Sequence, residues 1–262
     1  MQISLAGKRA IVCGSSQGIG RAIATELALL GASVTVMARN PERLESVVRE
    51  LDVESGQSHG MIVADFSEPA QVKMAIDGFI NEGGTAEILV NNTGGPPGGL
   101  AVDAKPEEFM AAFESHLVCN HLLTQALVSN MKERGFGRII NIISTSVKQP
   151  IKGLGVSNTI RGAVANWAKT LAAELGGFGI TVNNILPGMT RTVRLDSIIR
   201  ARSEKSGKSI EEVTADMEAE IPAARIADAS EIAAAAAFLA SPAASYINGI
   251  NLPVDGGRTG CL

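Results

Sequence analysis

The chain has 262 residues, 45% of them hydrophobic but only 3% aromatic, so its core is built mainly from aliphatic side chains. Such a composition suits a parallel sheet covered on both faces by helices, whose strands read as Val/Ile/Leu runs. A formal net charge of −4 argues against a nucleic-acid binder, which concentrates basic residues on one face.

Strand-like and helix-like segments alternate from one end of the chain to the other. Arg9–Cys13 is a short apolar run, and helical spacing follows from Ile19 to Leu30. Ser33–Ala38 has β-branched alternation, and Pro41 stands where a helix would begin. Met61–Ala64, Ile88–Val90 and Ile139–Ile143 are further strand candidates, interleaved with helices over Pro69–Asn81, Pro106–Arg134 and Val156–Leu175. Ile180–Leu186 and Gly249–Val254 complete a set of about seven strands. This alternation predicts one α/β domain, a doubly wound Rossmann-type parallel sheet with right-handed crossovers. No linker or internal repeat divides it.

One stretch, from Met189 to Asp228, is rich in charge and holds no strand candidate. An insertion of that length after a strand end is expected to be a substrate-side lid, or else an amphipathic helix pair with a solvated face. The alanine-rich run Ile232–Ala240 is shorter than the roughly 20 residues a bilayer requires. Met1–Gly7 has no charged segment followed by an apolar one, so no leader is expected. Cys13, Cys119 and Cys261 lack metal-ligand spacing, so no metal site is expected and a reducing, cytoplasmic setting is.

The first strand runs into Gly14-Ser15-Ser16-Gln17-Gly18-Ile19-Gly20 and then a helix. Glycines here let the backbone approach a diphosphate, while the helix N-terminus offers oriented N–H donors. These seven residues are the expected cofactor cradle. The spacing, Gly-x3-Gly-x-Gly, resembles that of the short-chain dehydrogenase/reductase family, and further motifs follow in order. Asn91-Asn92-Thr93-Gly94 resembles the family's Asn-Asn-Ala-Gly segment beside the cofactor, Pro187-Gly188-Met189-Thr190 its turn on the nicotinamide side, and Val254-Asp255-Gly256-Gly257 its C-terminal signature. Asp65, with Phe66 beside it, occupies the position that meets the adenine in the family. The general layout is most similar to the family's 3-oxoacyl-thioester reductases.

The second strand ends Met37-Ala38-Arg39-Asn40, without the carboxylate that binds the ribose 2′-hydroxyl of NAD. Arg39 offers a fork of donors to a 2′-phosphate, which favours NADP(H) over NAD(H). An Arg39 merely solvated or stacked on adenine would leave the preference open.

The resemblance also implies a catalytic set, and the chain departs from it. In the family a Ser polarises the carbonyl, a Tyr passes the proton, a Lys four residues on lowers the Tyr pKa and binds ribose, and an Asn holds a relay water. Here Ser144 keeps the serine position, Ser157 stands for the Tyr, Arg161 for the Lys and His116 for the Asn. A serine hydroxyl is far less acidic than a phenol, whose pKa is about 10. The sole tyrosine, Tyr246, is near the last strand. Three sources of a proton remain: His116, titrating near neutrality; Lys148 or Lys152 in the loop after Ser144; or a water between Ser144 and Ser157. Three functions follow. The first is an NADP(H)-dependent reductase or dehydrogenase acting on a carbonyl or alcohol with an atypical proton donor. The others are a catalytically inactive nucleotide-binding sensor or scaffold, and elimination or isomerisation on the same fold. The helices over Pro106–Arg134 and Val156–Leu175 correspond to the family's subunit interface, so a homodimer or homotetramer is expected.

Overall fold

The computed structural model describes residues 1–261. Seven strands form one parallel sheet in the order β3-β2-β1-β4-β5-β6-β7. They are β1 (Arg9–Cys13), β2 (Ser33–Ala38), β3 (Gly60–Val63), β4 (Ile88–Asn91), β5 (Gly137–Ile142), β6 (Ile180–Pro187) and β7 (Asn251–Val254). The order reverses direction between β1 and β4, and in open parallel sheets ligands bind at the carboxyl ends of the strands at such a switch point.

On one face lie α1 (Gly18–Leu29), α2 (Pro41–Glu50) and α9 (Ala229–Ala240). Alanines make the α1–α9 contact close: Ala24 and Ala28 lie with Ala233, Ala236, Ala237 and Ala240 in one buried cluster against Val12, Val90 and Ile140. The other face is covered by α3 (Pro69–Asn81), α5 (Cys119–Arg134) and α6 (Gly155–Leu175), whose Val72, Leu123, Leu127 and Ala168 pack on Ile11, Leu89 and Ile139. Alternate strand residues feed the two clusters, as the pleat requires. No helix among the described residues is long and apolar enough to cross a membrane.

Two features were not foreseen. The helix expected over Pro106–Arg134 is interrupted: α4 (Pro106–Phe113) and α5 are joined by a π-helical turn at Glu114–Val118 that carries His116. The extra residue of a π turn rotates the downstream helix, and such turns recur at functional sites. The second feature is a row of asparagines, Asn91, Asn141, Asn184 and Asn251, aligned in register across β4, β5, β6 and β7. Each amide nitrogen donates to the next carbonyl oxygen, at 2.8, 2.9 and 2.8 Å. Polar groups buried in a sheet are tolerable when paired, and each such bond contributes roughly 1 kcal/mol.

The charged segment after β6 folds as α7 (Val193–Ser206) and α8 (Ile210–Ala219) around a small core of its own, Leu195, Ile199, Val213, Met217, Ile221 and Ile226. Thr192 and Ser209 cap the two helices by accepting from the N–H groups of Leu195 and Glu212. The pair covers the carboxyl end of the sheet.

Candidate functional site: a cleft at the carboxyl end of the sheet

A cleft of about 760 Å³ runs along the strand tips from Arg39 and Asp65 through the glycine turn to Ser144 and Arg161. Backbone builds its middle. Gly14 has φ +58°, and a Cβ there would stand 2.4 Å from the Asn92 carbonyl oxygen. A Cβ on Gly20 would stand 2.3 Å from the Gly14 oxygen. The Asn92 amide donates to the Cys13 and Gly14 carbonyls at 3.2 and 3.3 Å, clamping β1 to the turn after β4. The N-terminus of α1 has neither a side-chain cap nor an acidic residue in its first turn. Its N–H groups are therefore free for an anion, and the missing side chains at Gly14 and Gly20 let the turn pack against Asn92 and on itself, so the cradle at the cleft fits a dinucleotide's diphosphate.

Gly14, Ser16, Gln17, Gly18, Ile19, Arg39, Asp65, Phe66 and Gly94 line this half of the cleft, and Pro187, Gly188, Met189 and Thr190 line the far half. Ser15, Gly20 and Asn91, expected on the cofactor, are scaffold instead. Ser15 is fully buried; its hydroxyl donates to the Val12 oxygen at 2.8 Å and accepts from the Met37 N–H at 3.0 Å, tying β1 to β2. Asn91 ends the asparagine row inside the sheet. Gly20 serves by having no side chain. Arg39 lies 3.8 Å from Asp65 and is largely exposed, a pairing weak enough for a phosphate to displace. Asp65 accepts from the backbone and hydroxyl of Ser67, which hold its carboxyl below the ordinary range, with Arg39 adding to that.

At the β5 end, Ser144 accepts the Ser146 N–H at 3.1 Å, which fixes its oxygen and leaves its hydroxyl proton to donate. Ser157 and Arg161 lie on the first two turns of α6, both 8% exposed and both lining the cleft. Arg161 donates to the Ile142 carbonyl at 3.1 Å; burial, with Arg194 nearby, pushes its pKa down to about 10, so it is a cation at neutral pH.

His116 requires a correction. It is only 2% exposed, and burial, followed by the charges of Arg161 and Arg194, lowers its pKa to about 3. It does not titrate near neutrality; the ring is neutral there. Its Nδ1 lies 2.6 Å from the Thr93 hydroxyl, and Thr93, not His116, lines the cleft. Sequence reasoning missed Thr93, though its hydroxyl, in place of the family's alanine, was the available signal. Lys148 is not among the lining residues, and its carbonyl accepts from the Cys261 thiol at 3.5 Å. Tyr246 is fully exposed, away from the lining. Arg194, one of the arginines of the charged segment after Pro187, is engaged with the chain itself: from α7 it donates to the Gly95 and Pro96 carbonyls at 2.8 and 3.2 Å, joining the helix pair to the loop after β4. No spacing rule links residues so far apart in the chain.

A doubly wound sheet with a glycine cradle at its switch point defines a dinucleotide-binding domain. Residues 14–259 match the family model described as enoyl-(acyl carrier protein) reductase. The 3-oxoacyl-[acyl-carrier-protein] reductase of Haemophilus influenzae is 33% identical over 251 residues, 96% of this chain and 98% of its own. An NADPH-dependent reductase of Bacillus subtilis is 31% identical over 95% of this chain and 97% of its own. The solved structure of L-sorbose reductase from Gluconobacter frateurii, complexed with NADPH and L-sorbose, superposes with a TM-score of 0.94 at 31% identity, covering 100% of both chains. The chain belongs to the short-chain dehydrogenase/reductase family, and it is an NAD(P)-dependent oxidoreductase of that type.

Proposed function

We propose that the chain is an NADP(H)-dependent carbonyl reductase whose proton reaches the substrate through Thr93 rather than a tyrosine. The observation that carries this reading is the continuity of one cleft, with the glycine cradle in its middle and Ser144, Ser157 and Arg161 at one end. NADP(H), when bound, supplies or receives the hydride at the carbonyl carbon. Gly14, Ser16, Gln17, Gly18 and Ile19 would hold its diphosphate, Asp65 and Phe66 would border the adenine, Arg39 would take the 2′-phosphate, and Arg161 with Pro187–Thr190 would border the nicotinamide riboside. The preference for the 2′-phosphorylated form draws on Arg39 and on the NADPH named for the Bacillus and Gluconobacter proteins.

The Ser144 hydroxyl donates to the carbonyl oxygen, drawing electron density from the carbon. As negative charge develops on that oxygen, the buried Arg161 guanidinium stabilises it electrostatically, a contribution that grows where water is excluded. Ser157 holds a second hydroxyl on the same wall. With Nδ1 protonated, His116 donates to Thr93 Oγ1 and leaves the threonine proton for the alkoxide. Thr93 then takes the Nδ1 proton and the ring regains one from solvent at Nε2, so the imidazole starts and ends neutral. At neutral pH burial keeps the ring uncharged, which is the form from which this relay starts. The pair α7–α8 serves as the lid, latched by Arg194. A homodimer or homotetramer through α5 and α6 completes the proposal.

The replacement of the family's Tyr and Lys by Ser157 and Arg161 favours a second reading, a nucleotide-binding protein without turnover. One experiment separates the two. Calorimetric titration with NADPH and NADH is followed by absorbance assays on aldehydes, ketones and oxoacyl thioesters. NADPH binding at least tenfold tighter than NADH, with turnover on part of the panel, is the expected result. Saturable binding with no turnover supports the second reading, and no binding of either nucleotide ends both.

A further inference from the structure

Beyond Ser144 the cleft opens into a second recess of about 390 Å³, sharing Thr145, Ile151, Arg202 and Arg258 with the cleft proper. Its walls come from four separate segments: the loop after β5, the end of α7, the residue after α8, and the C-terminal stretch beyond β7. Three cations line it, Lys152, Arg202 and Arg258, against one carboxylate, Glu220. Arg258 is paired with Glu220 at 2.7 Å. Among the described residues, no carboxylate forms an ion pair with Lys152 or Arg202. In a chain of net charge −4, two uncompensated cations at one recess form a local positive field.

The cofactor does not account for them. Arg39, which faces the 2′-phosphate, stands at the tip of β2, and the recess begins at the tip of β5, three strand spacings away in the order β2-β1-β4-β5. At about 4.8 Å per spacing that is roughly 14 Å. The diphosphate cradle at β1 is two spacings from β5, and Arg194, which also lines the cleft, is committed to the Gly95 and Pro96 carbonyls. The recess therefore lies on the substrate side of Ser144. A substrate whose carbonyl meets Ser144 would extend its remaining atoms toward Arg202 and Lys152.

We infer that the substrate carries an anionic oxygen group, a carboxylate or a phosphate, seated in this recess on Arg202 and Lys152 with Arg258 beside them. The inference rests on the reductase reading above and narrows its substrate class to oxo acids or phosphorylated ketones. A guanidinium binds either group through paired N–H donors, and the lysine adds a point charge.

The test uses the protein saturated with NADP⁺, which cannot reduce a ketone, so that binding is read without turnover. Oxo acids with the carbonyl two, three or four carbons along, their methyl esters, and dihydroxyacetone phosphate are titrated calorimetrically. At least one anion should bind ten times more tightly than its neutral counterpart, methyl esters for the oxo acids and dihydroxyacetone for its phosphate. Arg202→Gln and Lys152→Gln should each weaken that anion about tenfold, leaving neutral ligands and the NADP⁺ titration unchanged. Preference for the oxo acids identifies a carboxylate, and preference for the phosphate identifies a phosphoryl group. Equal binding of anions and neutral counterparts, no binding by any of them, or Gln variants that bind the anion as well as the parent would overturn the inference. A failed NADP⁺ titration in the parent protein would instead strike the cofactor reading. Thermal-shift measurements with the same anions on the cofactor-free protein then decide the recess separately, a shift lost in Arg202→Gln supporting it and no shift overturning it.

Discussion

The two ends of the cleft hold their ligands by different means. Around β1, β2 and β4 the contact surface is largely backbone: glycines at 14, 18 and 20, the open N-terminus of α1, and Asn92 bracing two carbonyls from behind. Around β5 and α6 it is side chains, Ser144, Ser157 and Arg161, met by Thr93 from the turn after β4, projecting from a wall whose path is set elsewhere. A site made of backbone tolerates almost no change, because a Cβ at Gly14 or Gly20 would collide with Asn92 and the Gly14 carbonyl and force the turn itself to shift. A site made of side chains can exchange one chemistry for another while the chain trace stays put. That contrast fits a glycine turn that keeps its family spacing beside Ser157, Arg161 and His116, the residues that the resemblance puts at the proton-transfer positions.

The sharpest way to break the comparison is Gly14→Ala. The substitution forces a side chain into a positive-φ position and to within 2.4 Å of a carbonyl oxygen, so nucleotide binding should fall below calorimetric detection. Gly18→Ala is the milder companion, with φ +57° and a nearest neighbour, Thr192 Cγ2, at 3.3 Å; it should weaken binding while circular dichroism stays native. Full-strength binding by both variants would mean that the turn does not carry the diphosphate.

At the other end the expected losses are in rate, not binding. Ser144→Ala and Thr93→Val should each lower kcat about 100-fold, the usual scale for one preorganised donor or one proton-transfer group, with the NADPH dissociation constant unchanged. If Thr93→Val turned over normally while Ser144→Ala did not, the threonine–imidazole relay would be wrong and a water between Ser144 and Ser157 would take its place.

Arg39→Gln tests the cofactor end more gently. Removing a charge-assisted contact worth about 1.5–3 kcal/mol should cost NADPH roughly 10- to 100-fold in affinity and leave NADH nearly untouched. Equal losses for both nucleotides would mean that Arg39 stacks on the adenine.

The backbone-made end was also the more legible in sequence. Glycine spacing after a strand is a local signal, and Pro41 marks a helix start for a similarly local reason. Periodicity therefore located all seven strands to within two residues. What escaped detection depends on pairing over long separations. Asn91 and Asn251 join one hydrogen-bonded row only because four strands align in register, and nothing in their neighbours marks them as interior rather than cofactor-facing. Apolar periodicity ran through Glu114–Val118 without a break, so the π turn was invisible. His116 was assigned an ordinary pKa because burial is a tertiary property, and Arg161 and Arg194 approach it only in the folded chain.

That last difference yields the smallest effect and a direct measurement. The unfolded chain binds a proton at His116 with a pKa near 6.5, whereas the folded chain does so only near 3. The folded state is therefore favoured fully above pH 6.5 and loses that stabilisation as pH falls toward 3. Carboxylates whose pKa is lowered on folding, such as Asp65 and Asp255, push in the same direction but act mainly below about pH 4.5. Between pH 6.5 and 4.5 the histidine should account for a loss of about 2–3 kcal/mol, bounded by about 1.4 kcal/mol per pH unit for one proton. Urea midpoints at pH 4.5, 5.5, 6.5 and 7.5 would show the slope in the parent protein and its flattening in His116→Gln. A parent curve that is already flat over that window would mean that the imidazole meets water in solution, and that Thr93 has a titrating partner after all.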